Sequence, residues 1–153
     1  MLCLEKLLKY SPFIRRLHAT VAFIEENAEI YSRASMFSTV QYLFLSWEYI
    51  PIQDIIRFCQ TMPCLKQCTL NAADYRDDQD LFDPSTWQQF IEHDHIMLTN
   101  VQVNMSRRPS HDSHRNSHWI SLNHDPYFRE INFQFEKDPW GNIILNGNYV
   151  KSI

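Results

Sequence analysis

The chain has 153 residues, of which 44% are hydrophobic and 14% aromatic, enough apolar surface for a sizeable core in one domain. A formal net charge of −4 leaves no basic footprint for nucleic acid. The only glycines are Gly141 and Gly147, which excludes a phosphate-cradling Gly-rich loop and a G-x-S-x-G nucleophile elbow.

From the N-terminus, Leu2, Leu4, Leu7 and Leu8 fall at helical spacing, and Pro12 disfavours helix at the residue before it. No apolar run reaches the roughly 18 to 20 residues that span a bilayer, and the start lacks a signal-peptide pattern. A cytoplasmic or nuclear location is the default. The chain opens directly inside an apolar helix, which reads as a fragment of a longer protein.

A recurring pattern follows, with apolar residues at offsets zero, three and five. It occurs at Ile14-Leu17-Ala19, Leu65-Cys68-Leu70 and Phe128-Ile131-Phe133, each two residues after a proline. Weaker copies without proline occur at Val40-Leu43-Leu45 and Leu98-Val101-Val103, so intervals run from roughly 25 to 33 residues. In an extended chain offsets three and five share one face, so these residues point into a core that exists only when copies stack. Helical stretches precede most copies. Phe23 to Ser32 is a weakly striped helix, Pro51 opens a helix bearing Ile52, Ile55, Ile56 and Cys59, and Asp83-Pro84 caps one bearing Trp87, Phe90 and Ile91. Of Cys3, Cys59, Cys64 and Cys68, three occupy or adjoin inferred core positions, and buried reduced thiols are the expectation.

Two segments interrupt the pattern. One, at 72–83, is acidic and carries Asp77, Asp78 and Asp80; it matches no EF-hand loop and reads as a solvated loop. The other, at 104–119, carries His111, His114 and His118, with His124 and Asp125 downstream. Imidazoles spaced by three and four suit zinc on a helix, but Pro109 and the Ser, Asn and Asp content argue for a polar loop. Arg107-Arg108-Pro109-Ser110 also matches a basic-directed phosphorylation site at Ser110. Near the C-terminus, Ile131 to Phe135 alternates as a strand, Asp138-Pro139-Trp140-Gly141 carries turn chemistry, and Ile143-Ile144-Leu145 supplies a partner strand.

The expected architecture is therefore α/β: a leucine-rich-repeat-like solenoid with parallel strands, outer helices and four to five irregular repeats over 1–135. Residues 136–153 are expected to form a C-terminal hairpin or capping segment, with an incomplete sixth repeat as the competing reading. Helix, Met62-Pro63-Cys64-Leu65 to Leu70, an Asp-rich loop, then Asp83 to Val103 resembles the leucine-rich-repeat region of divergent F-box proteins. That resemblance implies a substrate-binding repeat region of a ubiquitin-ligase component, whose F-box would dock on the ligase adaptor; no F-box-like segment precedes the first repeat.

The functional expectation is a non-catalytic protein-recognition module without a cofactor, metal or catalytic residue, binding a protein partner and neither nucleic acid nor membrane. Its concave face would present Arg16, His18, Tyr42, Phe44, Gln67, Thr69, Asn100 and Gln102, with Tyr42 and Phe44 as anchors. The alternative is a divalent-metal-binding protein or enzyme built on the His-rich loop 111–124.

Overall fold

The computed structural model describes residues 11, 13–21, 39–48, 50–75, 80–92, 97–107 and 122–151. The chain order is β1 (Arg16–Val21), β2 (Tyr42–Trp47), α1 (Ile52–Gln60), β3 (Gln67–Tyr75), a 3₁₀ turn (Asp80–Phe82), α2 (Pro84–Ile91), β4 (Asn100–Arg107), α3 (Pro126–Glu130), β5 (Phe133–Lys137) and β6 (Ile143–Val150). All six strands join one sheet in the order β1-β2-β3-β4-β6-β5.

The first four strands are parallel and share one register. Arg16 pairs with Tyr42, Tyr42 with Gln67 and Gln67 with Asn100, and the pairing holds two and four residues further along. The ladder extends back before the strands: Gln41 N donates to Arg15 O, Lys66 N to Gln41 O and Thr99 N to Lys66 O, at 2.8–2.9 Å. Thr39 and Thr99 add side-chain bonds from Oγ1 to Ile14 O and Lys66 O, both 3.0 Å. Because the alternation phase is common to all four strands, Leu17, Leu43, Cys68 and Val101 fall on one face, followed by Leu45, Leu70 and Val103, and all seven are buried.

The helices close over that face. In α1 the spacing of Ile52, Ile55, Ile56 and Cys59 buries one stripe, with Pro51 just ahead of the first turn. In α2, Asp83 accepts from Ser85 N at 2.9 Å, Pro84 sits where its missing N–H costs nothing, and Thr86, Trp87, Phe90 and Ile91 are buried. The indole N–H groups are satisfied: Trp87 Nε1 donates to Leu81 O at 2.9 Å and Trp47 Nε1 to Ile50 O at 3.1 Å. Cys59 and Cys68 are buried with their sulfurs 4.0 Å apart. Burial, then the neighbouring Cys59, pushes the Cys68 thiol well above its ordinary value, so both behave as core packing groups. Cys64 is half-buried, and Cys3 lies outside the described residues.

The expected solenoid does not form. What forms is a single open, mixed sheet of six strands, with three helices among the described residues, and the parallel run stops at β4. The fifth copy of the pattern is responsible. Phe128 and Ile131 are three residues apart, a spacing that suits a helix as well as a bend. Asp125 accepts from Tyr127 N and Phe128 N, Pro126 is in the first turn, and Asn132 at φ 58° takes the left-handed conformation that ends α3. The segment therefore becomes a short capped helix rather than the start of a further parallel strand.

β5 then reverses into β6 through the turn at Asp138, where Gly141 adopts φ 88°. The Asp138 carboxylate accepts from Trp140 N (2.9 Å), Asn142 N (2.8 Å) and Asn142 Nδ2 (2.7 Å). Desolvation opposes ionisation there, but these bonds outweigh it and hold the carboxyl below its ordinary value. β5 and β6 form an antiparallel hairpin, and its inner strand β6 pairs antiparallel with β4 over eight residues. The strands also run further than expected: β3 reaches Tyr75 and β4 reaches Arg107, so the interruptions expected at 72–83 and 104–119 begin within strands.

An aromatic cluster holds this end of the core. Phe133 meets Trp87 edge-on at 4.9 Å and stacks with Phe128 at 6.4 Å, while Phe128 meets Phe135 at 5.0 Å. Gly147 is cross-strand from Phe133, and a Cβ built there would collide with the ring carbons of Phe133.

Gly147→Ala is expected to destabilise the protein by about 1 to 3 kcal/mol, because the Phe133 ring is hemmed in by Trp87 and Phe128 and cannot yield. Urea unfolding reads this, and an unchanged midpoint would show that the ring moves freely. Leu70→Ala, emptying a position with 0% exposure at the sheet centre, is expected to cost about 2 to 5 kcal/mol in the same assay.

Candidate functional site

The two faces of the sheet differ sharply. The inward residues Leu43, Leu45, Cys68, Leu70, Val101, Val103 and Met105 are buried under the helices, whereas no described side chain on the opposite face is buried. The shared register arranges that open face in rows running across the strands. One row is Arg16, Tyr42, Gln67, Asn100 and Val150; the next is His18, Phe44, Thr69, Gln102 and Asn148. A third is Thr20, Ser46, Asn71, Asn104, Asn146 and Gln134.

The eight residues singled out from sequence occupy the first two rows. Arg16, His18, Gln67 and Gln102 are exposed, and Tyr42, Phe44, Thr69 and Asn100 are half-buried. On the β1–β2 side the aromatics are paired: the Arg16 guanidinium lies 5.0 Å from the centre of the Tyr42 ring, and the His18 and Phe44 rings are 4.0 Å apart. These contacts hold both rings on the open face with one side toward solvent.

The β3–β4–β6–β5 side has a different chemistry. Gln67, Asn71, Asn100, Gln102, Asn104, Asn146, Asn148 and Gln134 place eight carboxamides on a continuous surface. Among the described side chains, no outward position of β3, β4 or β6 carries a charge; Arg16 on β1 and Glu136 on β5 stand at the two margins. Among the described residues these eight side chains make no hydrogen bond within the protein. Asn71, Asn104, Asn146, Asn148 and Gln134 were not among the residues expected on the binding face. The signal was there in the alternation, which continues beyond Thr69 and Gln102 and recurs as Asn146 and Asn148, but only the sheet order brings the last strands alongside.

Beyond Gln134, at the β5 edge, lies a pocket of about 430 Å³ lined by Asn123, Arg129, Asn132, Phe133, Gln134, Phe135 and Glu136. Asn123 docks there like a strand: its Nδ2 donates to Phe135 O and its Oδ1 accepts from Phe135 N, both at 2.8 Å. The edge backbone of β5 is thus partly satisfied by a side chain.

The expected alternative centre, His111, His114 and His118, lies outside the described residues, as do Ser110, Asp77 and Asp78. His124 is exposed, and Asp125 serves as the cap of α3. Among the described residues no three His, Cys, Asp or Glu side chains are grouped to hold a metal ion, and no helix is long and apolar enough to cross a membrane.

One titratable group on the helical side is unusual. The Tyr127 hydroxyl is buried without a hydrogen-bond partner among the described residues, and burial, followed by the nearby Glu92, Tyr149 and Glu130, pushes its phenol far above the ordinary range. Tyr149 is raised in the same direction by desolvation and the same two glutamates.

The chain matches no family model, no curated protein and no solved structure. The resemblance to F-box repeat regions is left resting on its motif residues alone.

The tyrosines give a pH prediction. Each is held protonated in the fold, so stability is intact below the unfolded phenol value of about 10 and falls as pH rises through it. Tyr127→Phe is expected to cost little at neutral pH, since the hydroxyl has no partner, and to flatten the alkaline decline. Denaturant midpoints at neutral and alkaline pH measure both; an identical alkaline slope in the variant would assign the effect to Tyr149 or elsewhere.

Proposed function

We propose that this chain is a non-catalytic recognition module that holds a protein partner against the open face of its sheet. The observation that carries this reading is the segregation of the two faces: one is sealed by helices, while the other displays Tyr42 and Phe44 as partly exposed rings in register with two rows of uncharged hydrogen-bonding side chains. Aromatic side chains on a rigid sheet are efficient anchors, because they remove much apolar surface from water and have little rotamer freedom to lose. The Arg16 and His18 contacts preorganise both rings, so little ordering remains for binding to impose. Gln67, Thr69, Asn100 and Gln102 then supply donors and acceptors beside the anchors. With no charge at the centre of the face, complex formation depends weakly on salt, unlike an interface steered by charge.

The test is the double variant Tyr42→Ala/Phe44→Ala, read with a photo-crosslinker placed at Gln102 and, as control, at the exposed Gln88 of α2. The wild-type face is expected to capture a protein at Gln102 and none at Gln88. The double variant is expected to lose about 2 kcal/mol or more of binding while its melting temperature stays nearly unchanged. If it unfolds, the rings are structural; if it binds normally, the open face is not the site.

A further inference from the structure

The carboxamide part of the open face shares Thr69 and Gln102 with the rows beside the aromatic anchors and extends beyond them to β6 and β5, where its chemistry points to a ligand of its own. The outermost row places Asn71, Asn104, Asn146 and Gln134 on four successive strands, β3, β4, β6 and β5. Adjacent strands are about 4.8 Å apart, so the row offers a carboxamide at each such step. A parallel row, Thr69, Gln102 and Asn148, lies roughly 7 Å away along the strands, two residues on. Each carboxamide offers two donors and an acceptor oxygen with two lone pairs, and none is used within the described protein.

The row ending at Gln134 does not end on a flat surface. Gln134 is also a wall of the β5-edge pocket, whose volume of about 430 Å³ falls within the ordinary range for small-molecule sites. Inside it the exposed Arg129 and Glu136 bear opposite charges and have no ion-pair partner among the described residues, so the pocket has no net charge. The track and the pocket are contiguous, uncharged overall and dense in groups that both donate and accept.

We propose that this track binds an uncharged oligosaccharide, laid across β3, β4, β6 and β5 with one end in the β5-edge pocket. Three properties of such a chain match the surface. It carries no charge, as the track carries none; a fixed charge on the ligand would lose its hydration over neutral amides without gaining an opposite charge. Every sugar hydroxyl both donates and accepts, which is the complement of a carboxamide. The rise per sugar of an extended pyranose chain is close to the strand spacing, so each sugar lies over one strand, with successive β-1,4-linked sugars turned over relative to each other. An extended peptide laid across the strands has its side chains about 7 Å apart on one face and falls out of step with them. This track is on the opposite half of the face from Tyr42 and Phe44, so the inference does not depend on those anchors.

The experiment is a titration of isotope-labelled protein with neutral cello-, xylo-, malto- and chito-oligosaccharides, followed by side-chain amide resonances, with polygalacturonate as the charged comparator. One neutral series is expected to shift Asn104, Asn146 and Gln134 saturably, with a Kd of about 1 mM or tighter that is insensitive to salt. Asn104→Ala/Asn146→Ala, both on exposed positions, is expected to weaken binding at least tenfold with an unchanged melting temperature, and Tyr42→Ala/Phe44→Ala to leave it intact. The proposal is overturned if no neutral oligosaccharide shifts these residues, if the carboxamide variant binds as wild type does, or if polygalacturonate binds better. Protein capture at Gln102 with no oligosaccharide binding would overturn it while leaving the recognition face standing.

Discussion

The common register of β1, β2, β3 and β4 is the constraint on which the rest of the structure depends. Four parallel strands begin at equivalent positions, Arg16, Tyr42, Gln67 and Asn100, and their alternation stays in phase along their length. A slip of one residue in any of them would turn its core set outward and its polar set inward. The ladder before the strands resists such a slip, because Arg15, Gln41, Lys66 and Thr99 are hydrogen-bonded to one another ahead of the strands' alternating core residues. One register thereby produces both the buried layer and the ordered rows on the open face. The open face is a consequence of the core rather than an addition to it.

The C-terminal third shows how local chemistry redirects that pattern. The Asp125 cap, the left-handed Asn132 and the Asp138 turn act over a few residues each, and together they replace a fifth parallel strand with a short helix and a hairpin. β5 ends up running in the same direction as β4 with β6 between them. The close approach of Phe133 to Gly147 is the packing consequence: the ring that joins the Trp87 and Phe128 cluster occupies the space where a side chain on β6 would lie. Asn123 then covers part of the β5 edge with a side-chain amide, which blunts a strand that would otherwise present its backbone to other chains.

Functionally, the open face divides by chemistry along the strand order. The β1–β2 side carries aromatic rings held by a guanidinium and an imidazole, a combination suited to anchoring. The β3–β4–β6–β5 side carries neutral amides, which discriminate by hydrogen-bond geometry and attract nothing over distance. Placing charge only at the margins keeps the centre free of ions that would have to be desolvated on contact.

Much of this was legible from local pattern. The spacing of Ile52, Ile55, Ile56 and Cys59, the Asp83-Pro84 start, the Asp138 to Gly141 turn and the inward set Leu65, Cys68, Leu70, Leu98, Val101 and Val103 are properties of a few neighbouring residues, and each appears in the structure as a helix, a cap, a turn or a buried position. The solenoid was not legible in the same way. Alternation has the same period in parallel and antiparallel strands, so it cannot tell where a sheet stops propagating in one direction. The Phe128 and Ile131 pair satisfies a helix and a strand start equally, and only the Asp125 cap with the packing of Phe128 against Phe133 and Phe135 decides for helix. The sequence by itself determined which residues face in and which face out on each strand, because that follows from period two. Only the tertiary structure decided that β6 lies between β4 and β5, and therefore that Asn146, Asn148 and Gln134 extend the rows begun by Gln67, Thr69 and Asn71; strand order comes from contacts between residues far apart in the chain, which no local spacing records.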